Sequence, residues 1–138
     1  MEVSILLVAD YANVTLDGKL NIMGVFHNIN ALSFPAAHPE MHLITQLKAG
    51  PAEYERAFTL EIKLIDEDAT ETLVDESFDL VVPRGTAGQS VYMNHLLRMV
   101  NVRFPKPGTY QFSVLVDRDE KDSIPIEVRQ VSMVGDGS

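Results

Sequence analysis

Residues 13–19, NVTLDGK, are the first stretch of this chain that could do chemistry. They place oxygen-bearing side chains and a glycine at the first, third, fifth and sixth positions of a twelve-residue calcium loop. The twelfth position of such a loop holds a bidentate glutamate, but Gly24 stands there, and the flanking segments have the pattern of strands rather than helices. The stretch also contains a glycosylation sequon, which matters only in a chain that enters a secretory route. The pair Asp17-Gly18 is typical of a type I′ turn, so we interpret the stretch as a hairpin tip.

A second calcium hypothesis draws its ligands from two turns. If each strand simply reverses direction, the turn at Asp17 and the turn at residues 117–122 lie at the same end of the fold. The carboxylates that could converge there as calcium ligands are Asp17, Asp117, Asp119 and Asp122. The alternative is that these side chains are ordinary turn carboxylates in contact with water.

Histidine and acidic residues suggest a third kind of site. His38 and His42 have a spacing that could hold zinc on a helix, but Pro39 and the strand-like residues after it argue against a helix. A ligand or substrate site could instead form at one end of the fold from the connections 30–39, 66–70 and 104–108. Its candidate polar groups are His38, Asp66 and Asp68.

Motifs of common enzymes are missing from the sequence. No serine lies in a Gly-x-Ser-x-Gly elbow, and the flexible PRGTAGQ at residues 83–89 lacks the Gly-Lys-Ser/Thr of a phosphate-binding loop. The chain has no cysteine, and therefore no disulfide, thiolate nucleophile or sulfur-ligated metal. We therefore expect neither enzymatic activity nor a cofactor.

The length and net charge of the chain limit its domain organisation and its possible binding partners. The 138 residues fit a single domain over residues 1–134, with a flexible tail at 135–138. The formal net charge of -9 repels phosphate backbones and anionic lipid surfaces, so nucleic acid and membranes are poor partners. The apolar start of the chain lacks a basic region and is interrupted by Asp10, which indicates a strand rather than an export signal and a cytoplasmic protein.

Hydrophobic alternation with a period of two indicates the fold class. In AFTLEIKLI, residues 57–65, apolar side chains alternate with other residues as in a strand with one buried face. The same alternation recurs at residues 109–117 and 123–131, where Pro125 indicates a sheet edge or a bulge. Less regular segments bring the total to about eight strands, and these lie at residues 3–11, 19–29, 41–48, 72–82 and 93–104. Residues 90–100 also approach helical spacing, but we interpret them as strand. The pattern predicts an all-β chain forming an antiparallel β-sandwich, immunoglobulin-like or related.

Some apolar residues fall on strand faces that should be wet. Simple alternation places Leu97 and Met99 opposite the face of Val102, and it places Leu115 opposite its two valine neighbours. We interpret Leu97, Met99 and Leu115 as candidates for an interaction face, covered by a partner protein, by a second copy or by a loop. The sequence thus favours a non-enzymatic interaction module that could self-associate.

The segments ADYANVTLDGKLNIMGVFHNI and FPKPGTYQFSVLVD resemble an uncharacterised bacterial family of domains of unknown function. That family opens with a similar Asp-Gly-Lys-Leu-Asn and Gly-x-Phe pattern, and it closes on a Phe-Pro-x-Pro-Gly-x-Tyr strand followed by an Ile-Pro-Leu-like strand. Here Ile124-Pro125-Ile126 fills the last position. The resemblance spans nearly the whole chain and implies a small β-sandwich. It assigns no activity and no site residue.

Overall fold

The computed structural model describes residues 1–132, and the predicted tail at 135–138 lies outside them. Nine strands and one short 3-10 turn at Pro51–Glu53 make up the secondary structure of this part of the chain. The strands are β1 Glu2–Val14, β2 Leu20–Val25, β3 Asn28–Ala31, β4 Ala36–Ala49, β5 Ala57–Asp66, β6 Thr72–Val81, β7 Val91–Phe104, β8 Gly108–Val116 and β9 Asp119–Gln130. The all-β prediction is confirmed, and the ambiguous segment at residues 91–100 is strand.

Two sheets hold these strands. The first has the order β2-β1-β4-β7 and is antiparallel, and the second has the order β3-β9-β8-β5-β6. The second sheet is mixed, because β3 pairs with β9 in parallel, which the sequence did not predict. Apolar side chains from both sheets form one main core between them, with Leu43 of β4 and Leu60 of β5 fully buried.

The segment predicted as a single strand at residues 19–29 is in fact two strands in different sheets. β2 ends at Val25, and the chain crosses to the second sheet through Phe26 and His27. The Phe26 N–H still donates to the Val8 carbonyl of the first sheet at 3.1 Å, whereas the His27 carbonyl accepts from the Glu127 N–H of the second sheet at 3.0 Å. The crossing takes two residues, too few to interrupt the apolar pattern in the sequence.

The hairpin tip at residues 15–19 is confirmed as a hairpin, but its turn type is not the predicted one. The Thr15 N–H donates to the Lys19 carbonyl at 2.8 Å, and the Gly18 N–H donates to the Thr15 carbonyl at 2.9 Å. Of the pair Asp17-Gly18, only Gly18 has a positive φ, at 86°. A type I′ turn needs positive φ at both residues, whereas a three-residue loop needs a left-handed residue only at its last position.

The alternation of buried and exposed side chains along β7 changes at Asn101, which has a φ of 53°. Pro39 of β4 stands opposite Asn101, and the pairing passes from His38↔Val102 to Glu40↔Val100 without them. A proline has no N–H to donate, so it fits where a ladder is interrupted. The irregularity reverses the alternation, and two residues three positions apart, Met99 and Val102, both face the main core.

Two polar side chains lie opposite each other within the first sheet. Thr45 of β4 pairs with His95 of β7. Thr45 is fully buried, and among residues 1–132 neither Thr45 Oγ1 nor His95 Nδ1 has a hydrogen-bond partner. The His95 ring packs on Phe78 of the second sheet, with 4.4 Å between ring centroids. Burial lowers the pKa of His95 below its usual 6.5.

We expect this histidine to make folding pH-dependent below neutrality. Because the folded-state pKa of His95 lies below the unfolded value of 6.5, the unfolded chain binds more protons, so stability falls as the pH drops through 6.5. Burial also lowers the pKa of His38, which therefore contributes to the same loss, whereas the lowered pKa values of Glu40, Glu53 and Asp66 affect stability only at more acidic pH, near and below their usual values of 3.8 to 4.5. The free energy of unfolding, measured by urea titration, should be lower at pH 5.5 than at pH 7.5, by an amount that corresponds to the uptake of up to about one proton by His95 on unfolding. His95→Gln should reduce this loss of stability. Equal losses in wild type and variant would contradict the assignment.

Candidate binding cleft

A cleft opens between the two sheets on the side where β1 faces β9. Its volume is about 460 Å³, within the roughly 300 to 1,000 Å³ that is usual for ligand sites. Strand β1 contributes one wall, strand β9 the other, and the crossing between β2 and β3 lies between them. The lining residues are Leu6, Leu7, Val8, His27, Asn28, Ile124, Pro125 and Glu127. The walls are mainly apolar, and the polar groups are concentrated at the crossing.

The β1 wall has an unpaired backbone edge. Strand β2 pairs with β1 only from Ala9 to Val14, so the first half of β1 has β4 on one side and no strand on the other. The Val8 carbonyl accepts the Phe26 N–H and therefore points to the β2 side. Backbone groups two residues apart in a strand point the same way, so the N–H and C=O of Leu6 also point to this side. These two backbone groups of Leu6 therefore face the cleft, and no strand within residues 1–132 pairs with them.

The β9 wall is also an edge at this point, but a blocked one. Strand β3 pairs with β9 only from Glu127 onward. The Glu127 N–H points to that side, so the nitrogen of Pro125, two residues earlier, points there too and carries no hydrogen. The next N–H on this side belongs to Ser123 and donates to the carboxylate of Asp122 at 2.8 Å. The prediction that Pro125 marks a sheet edge is confirmed for this segment.

Carboxylates outnumber cations along both walls. Strands β1 and β9 together contain six Asp or Glu residues and two basic ones, Lys121 and Arg129. Both cations form ion pairs within β9: Lys121 lies 3.0 Å from Asp119, and Arg129 lies 2.5 Å from Glu127. Of the six carboxylates, only Glu127 lines the cleft, and Glu2 is paired with Lys48 of β4 at 3.8 Å. The excess negative charge therefore belongs to the strands that form the walls, while the lining itself is mainly apolar.

The proposed calcium ligands are distributed over two sheets. Asp17 lies in the β1–β2 turn of the first sheet and contacts Thr15 and Lys19; the Thr15 hydroxyl donates to its carboxylate and, as the leading cause, lowers its pKa. The other three lie in or next to the β8–β9 turn of the second sheet, and each is engaged locally. Their partners are the Thr59 N–H and Arg56 for Asp117, Lys121 for Asp119, and the Ser123 N–H for Asp122. No group of three or more histidine or acidic side chains within residues 1–132 is arranged to hold a metal.

The loop-site candidates come together only in part. Asp66, at the end of β5, accepts hydrogen bonds from the Thr70 N–H at 2.7 Å, the Thr70 hydroxyl at 2.6 Å and the Glu71 N–H at 3.1 Å. The bond from the Thr70 hydroxyl is the largest of the effects that lower the pKa of Asp66. Asp68 lies 3.4 Å from Lys106, so connections 66–70 and 104–108 do meet. Asp66, in contrast, is engaged by the hydrogen bonds of its own turn.

His38 lies on a strand rather than in the predicted connection 30–39. Strand β4 begins at Ala36, and the His38 ring packs against Phe26 with 5.6 Å between centroids. Burial lowers its pKa, while the nearby charge of Asp10 opposes that shift. Phe26 and Asp10 lie on the β1–β2 side of the first sheet, the strand partner of His38 is Val102 of β7, and none of these residues is Asp66 or Asp68.

The interaction-face prediction is wrong for Leu97 and Met99. Met99 is only 6% exposed and belongs to the main core together with Val102, and Leu97 packs against that core. The strand irregularity at Asn101 is the reason, because it reverses the alternation on which the prediction relied. Leu115 is half-buried and stands between Glu61 of β5 and Glu120 of β9, so its role stays a prediction.

Sequence reasoning missed the cleft itself, with the exception of Pro125. The lining residues are ordinary strand residues, and the cleft exists because two unpaired edges from different sheets face each other. Two signals were present: Pro125 in a strand, and the polar pair His27-Asn28 inside an otherwise apolar run. Neither signal shows which other strand lies across the cleft.

Comparisons with known proteins give a family and little beyond it. In the described part of the chain, no helix is long and apolar enough to span a membrane. No curated protein matches the sequence. One solved structure, the Pseudomonas fluorescens alkylpurine DNA glycosylase AlkC bound to DNA containing an abasic site analog, is 15% identical with a TM-score of 0.48. The match covers 93% of this chain but only 30% of that one, and no function is transferred from it. The model of the family of unknown function DUF6941 matches residues 4–129, and the chain therefore belongs to that family.

Proposed function

We propose that this chain is a non-enzymatic binding module that holds a segment of a partner protein in the cleft between β1 and β9. The observation that carries the proposal is the cleft itself: about 460 Å³, with apolar walls and polar groups at one end. Clefts of this size and lining are the usual places where proteins bind other molecules.

The state of the acidic side chains supports binding rather than catalysis. Asp66, predicted as a polar group of a loop site, and Asp117, predicted as a calcium ligand, accept hydrogen bonds from backbone N–H groups of the turns and strands around them. The hydrogen bonds to Asp66, with that from the Thr70 hydroxyl as the leading cause, lower its pKa and make it a weak base that serves the local structure. At the cleft, the polar groups are His27, Asn28 and Glu127, and Glu127 is paired with Arg129.

A selection from a phage-displayed library of random twelve-residue peptides tests the cleft as the binding site. Peptides that bind the wild-type chain should lose at least about tenfold in affinity for Asn28→Trp, because an indole at this exposed lining position fills the cleft. Asn30→Trp is the matched control: Asn30 is also exposed on β3 but does not line the cleft. Fluorescence anisotropy with the selected peptides gives the affinities, and thermal melting confirms that both variants fold.

Two results would refute this proposal: no peptide is enriched, or the enriched peptides bind wild type and Asn28→Trp equally well. Sedimentation of the purified chain separates partner binding from self-association. A dimer that Asn28→Trp dissociates and Asn30→Trp does not would identify the occupant of the cleft as a second copy of the chain.

A further inference from the structure

We infer that the partner segment binds as an added strand on the free edge of β1, and that it is an extended, cationic peptide. This inference rests on the proposed function, since it names the occupant of the same cleft. Strand addition uses unpaired main-chain N–H and C=O groups of a sheet edge for affinity, and alternate side chains for specificity. Of the two cleft walls, only β1 offers a free N–H together with a C=O.

The two edges differ in what they present to a new strand. On β9, the nitrogen of Pro125 has no hydrogen, and the Ser123 N–H is already taken by the Asp122 carboxylate. Proline and charged side chains are the devices by which proteins prevent edges from pairing. On β1, the Leu6 N–H and C=O point to the open side with no described strand opposite them, so this edge is left able to pair.

The open position beside the first half of β1 is in line with β2, which pairs with the second half. Strand β2 pairs with Ala9–Val14 and then crosses away at Phe26, so a segment beside the first half of β1 would lie end to end with β2 in the first sheet. The open stretch is limited at its start by the irregularity in β1 between Val3 and Ile5. A partner strand of about five residues, a common strand length, fits this stretch.

The negative charge of this chain indicates which residues the partner's added strand should contain. The two cleft strands have four more carboxylates than cations, from six acidic and two basic residues, and the whole chain has a net charge of -9. Apolar side chains on one face of the added strand would contact Leu6 and Ile124, and Lys or Arg on the other residues would complement the net negative charge of β1 and β9. A second copy of this chain is a poorer occupant, because its own first strand has two carboxylates and no cation.

Backbone methylation of the selected peptides tests strand addition apart from cleft binding. We expect the peptides to alternate apolar and cationic residues, and to lose at least about tenfold in affinity when the amides of one alternate set are N-methylated. Methylation of the other alternate set should change affinity by less than about threefold, because those amides point away from β1. The Leu6 amide should become protected from hydrogen exchange in the complex, and affinity should fall as salt is raised from about 50 to 500 mM.

The outcomes separate the two proposals. Peptides that need the open cleft, as shown by Asn28→Trp, but tolerate methylation of both alternate sets would overturn strand addition and leave the cleft as the binding site. Enriched peptides without cationic residues, or with affinity independent of salt, would overturn the assigned partner chemistry. Peptides that bind wild type and Asn28→Trp alike, or a selection that enriches none, would overturn both proposals.

Discussion

Replacing Met99 by lysine should unfold the protein or cost about 3 to 5 kcal/mol of stability, the range for an uncompensated charge in a core. Met99 is 6% exposed and lies in the main core with Met41, its neighbour across the strand pair, and Val102. The cost arises because a lysine there must either bury its ammonium group or lose its proton. The change in the free energy of unfolding, from urea titration followed by circular dichroism, measures it.

The next residue along β7 is the matched control. Val100 is 50% exposed and stands opposite Glu40, so Val100→Lys keeps the new charge in water beside a carboxylate. We expect a change within about 0.5 kcal/mol, as for most surface substitutions. The opposite ranking of the two variants would show that the alternation of β7 is not reversed at Asn101, and would return Met99 to an outward face.

Replacing Phe104 by alanine should cost about 3 to 5 kcal/mol, a large part of the roughly 5 to 15 kcal/mol that stabilises a typical domain. Phe104 ends β7 in the first sheet, is fully buried, and contacts Tyr110 of the second sheet edge to face at 5.0 Å between centroids. The substitution creates a cavity between the sheets and removes this aromatic pair, worth about 0.5 to 1.5 kcal/mol by itself. Urea unfolding gives the loss in stability directly.

An aromatic residue on the same strand serves as the comparison. Tyr92 is 56% exposed, with Lys48 lying 5.9 Å from its ring centroid. Tyr92→Ala removes an exposed ring and an exposed cation–π contact, so we expect a cost below about 1 kcal/mol. A loss for Phe104→Ala no greater than that for Tyr92→Ala would contradict the placement of Phe104 between the two sheets.

The sequence was most informative where a strand has one buried and one exposed face. Residues 57–65 alternate regularly, and in β5 Phe58, Leu60, Ile62 and Leu64 are all buried. The strand predicted at residues 109–117 is also present as β8, and within it Tyr110 lies in the core with its hydroxyl donating to the Lys106 carbonyl at 2.6 Å. Such features depend on residues near one another in the chain, so local patterns determine them.

Prediction failed where one residue changed the geometry of a strand. Asn101 is compatible with an ordinary strand in the sequence, yet its φ of 53° reverses the alternation of β7 and turns Leu97 and Met99 inward. The passage between sheets at Phe26 and His27 was likewise missed, because the polar pair His27-Asn28 does not show by itself that the chain changes sheets there. Backbone conformations of this kind are decided by which strands are available to pair.

By itself, the sequence determined an acidic all-β domain without cysteine, with a hairpin at Asp17-Gly18 and either a sheet edge or a bulge at Pro125. Only the tertiary structure decided that β1 and β9 face each other across an apolar cleft, and that one of these two edges is blocked while the other is open. The physical reason is that a cleft between sheets depends on strand pairings between residues far apart in the chain, up to 99 positions for Asn28 and Glu127. No local pattern of hydrophobic residues, charges or turn residues predicts those pairings.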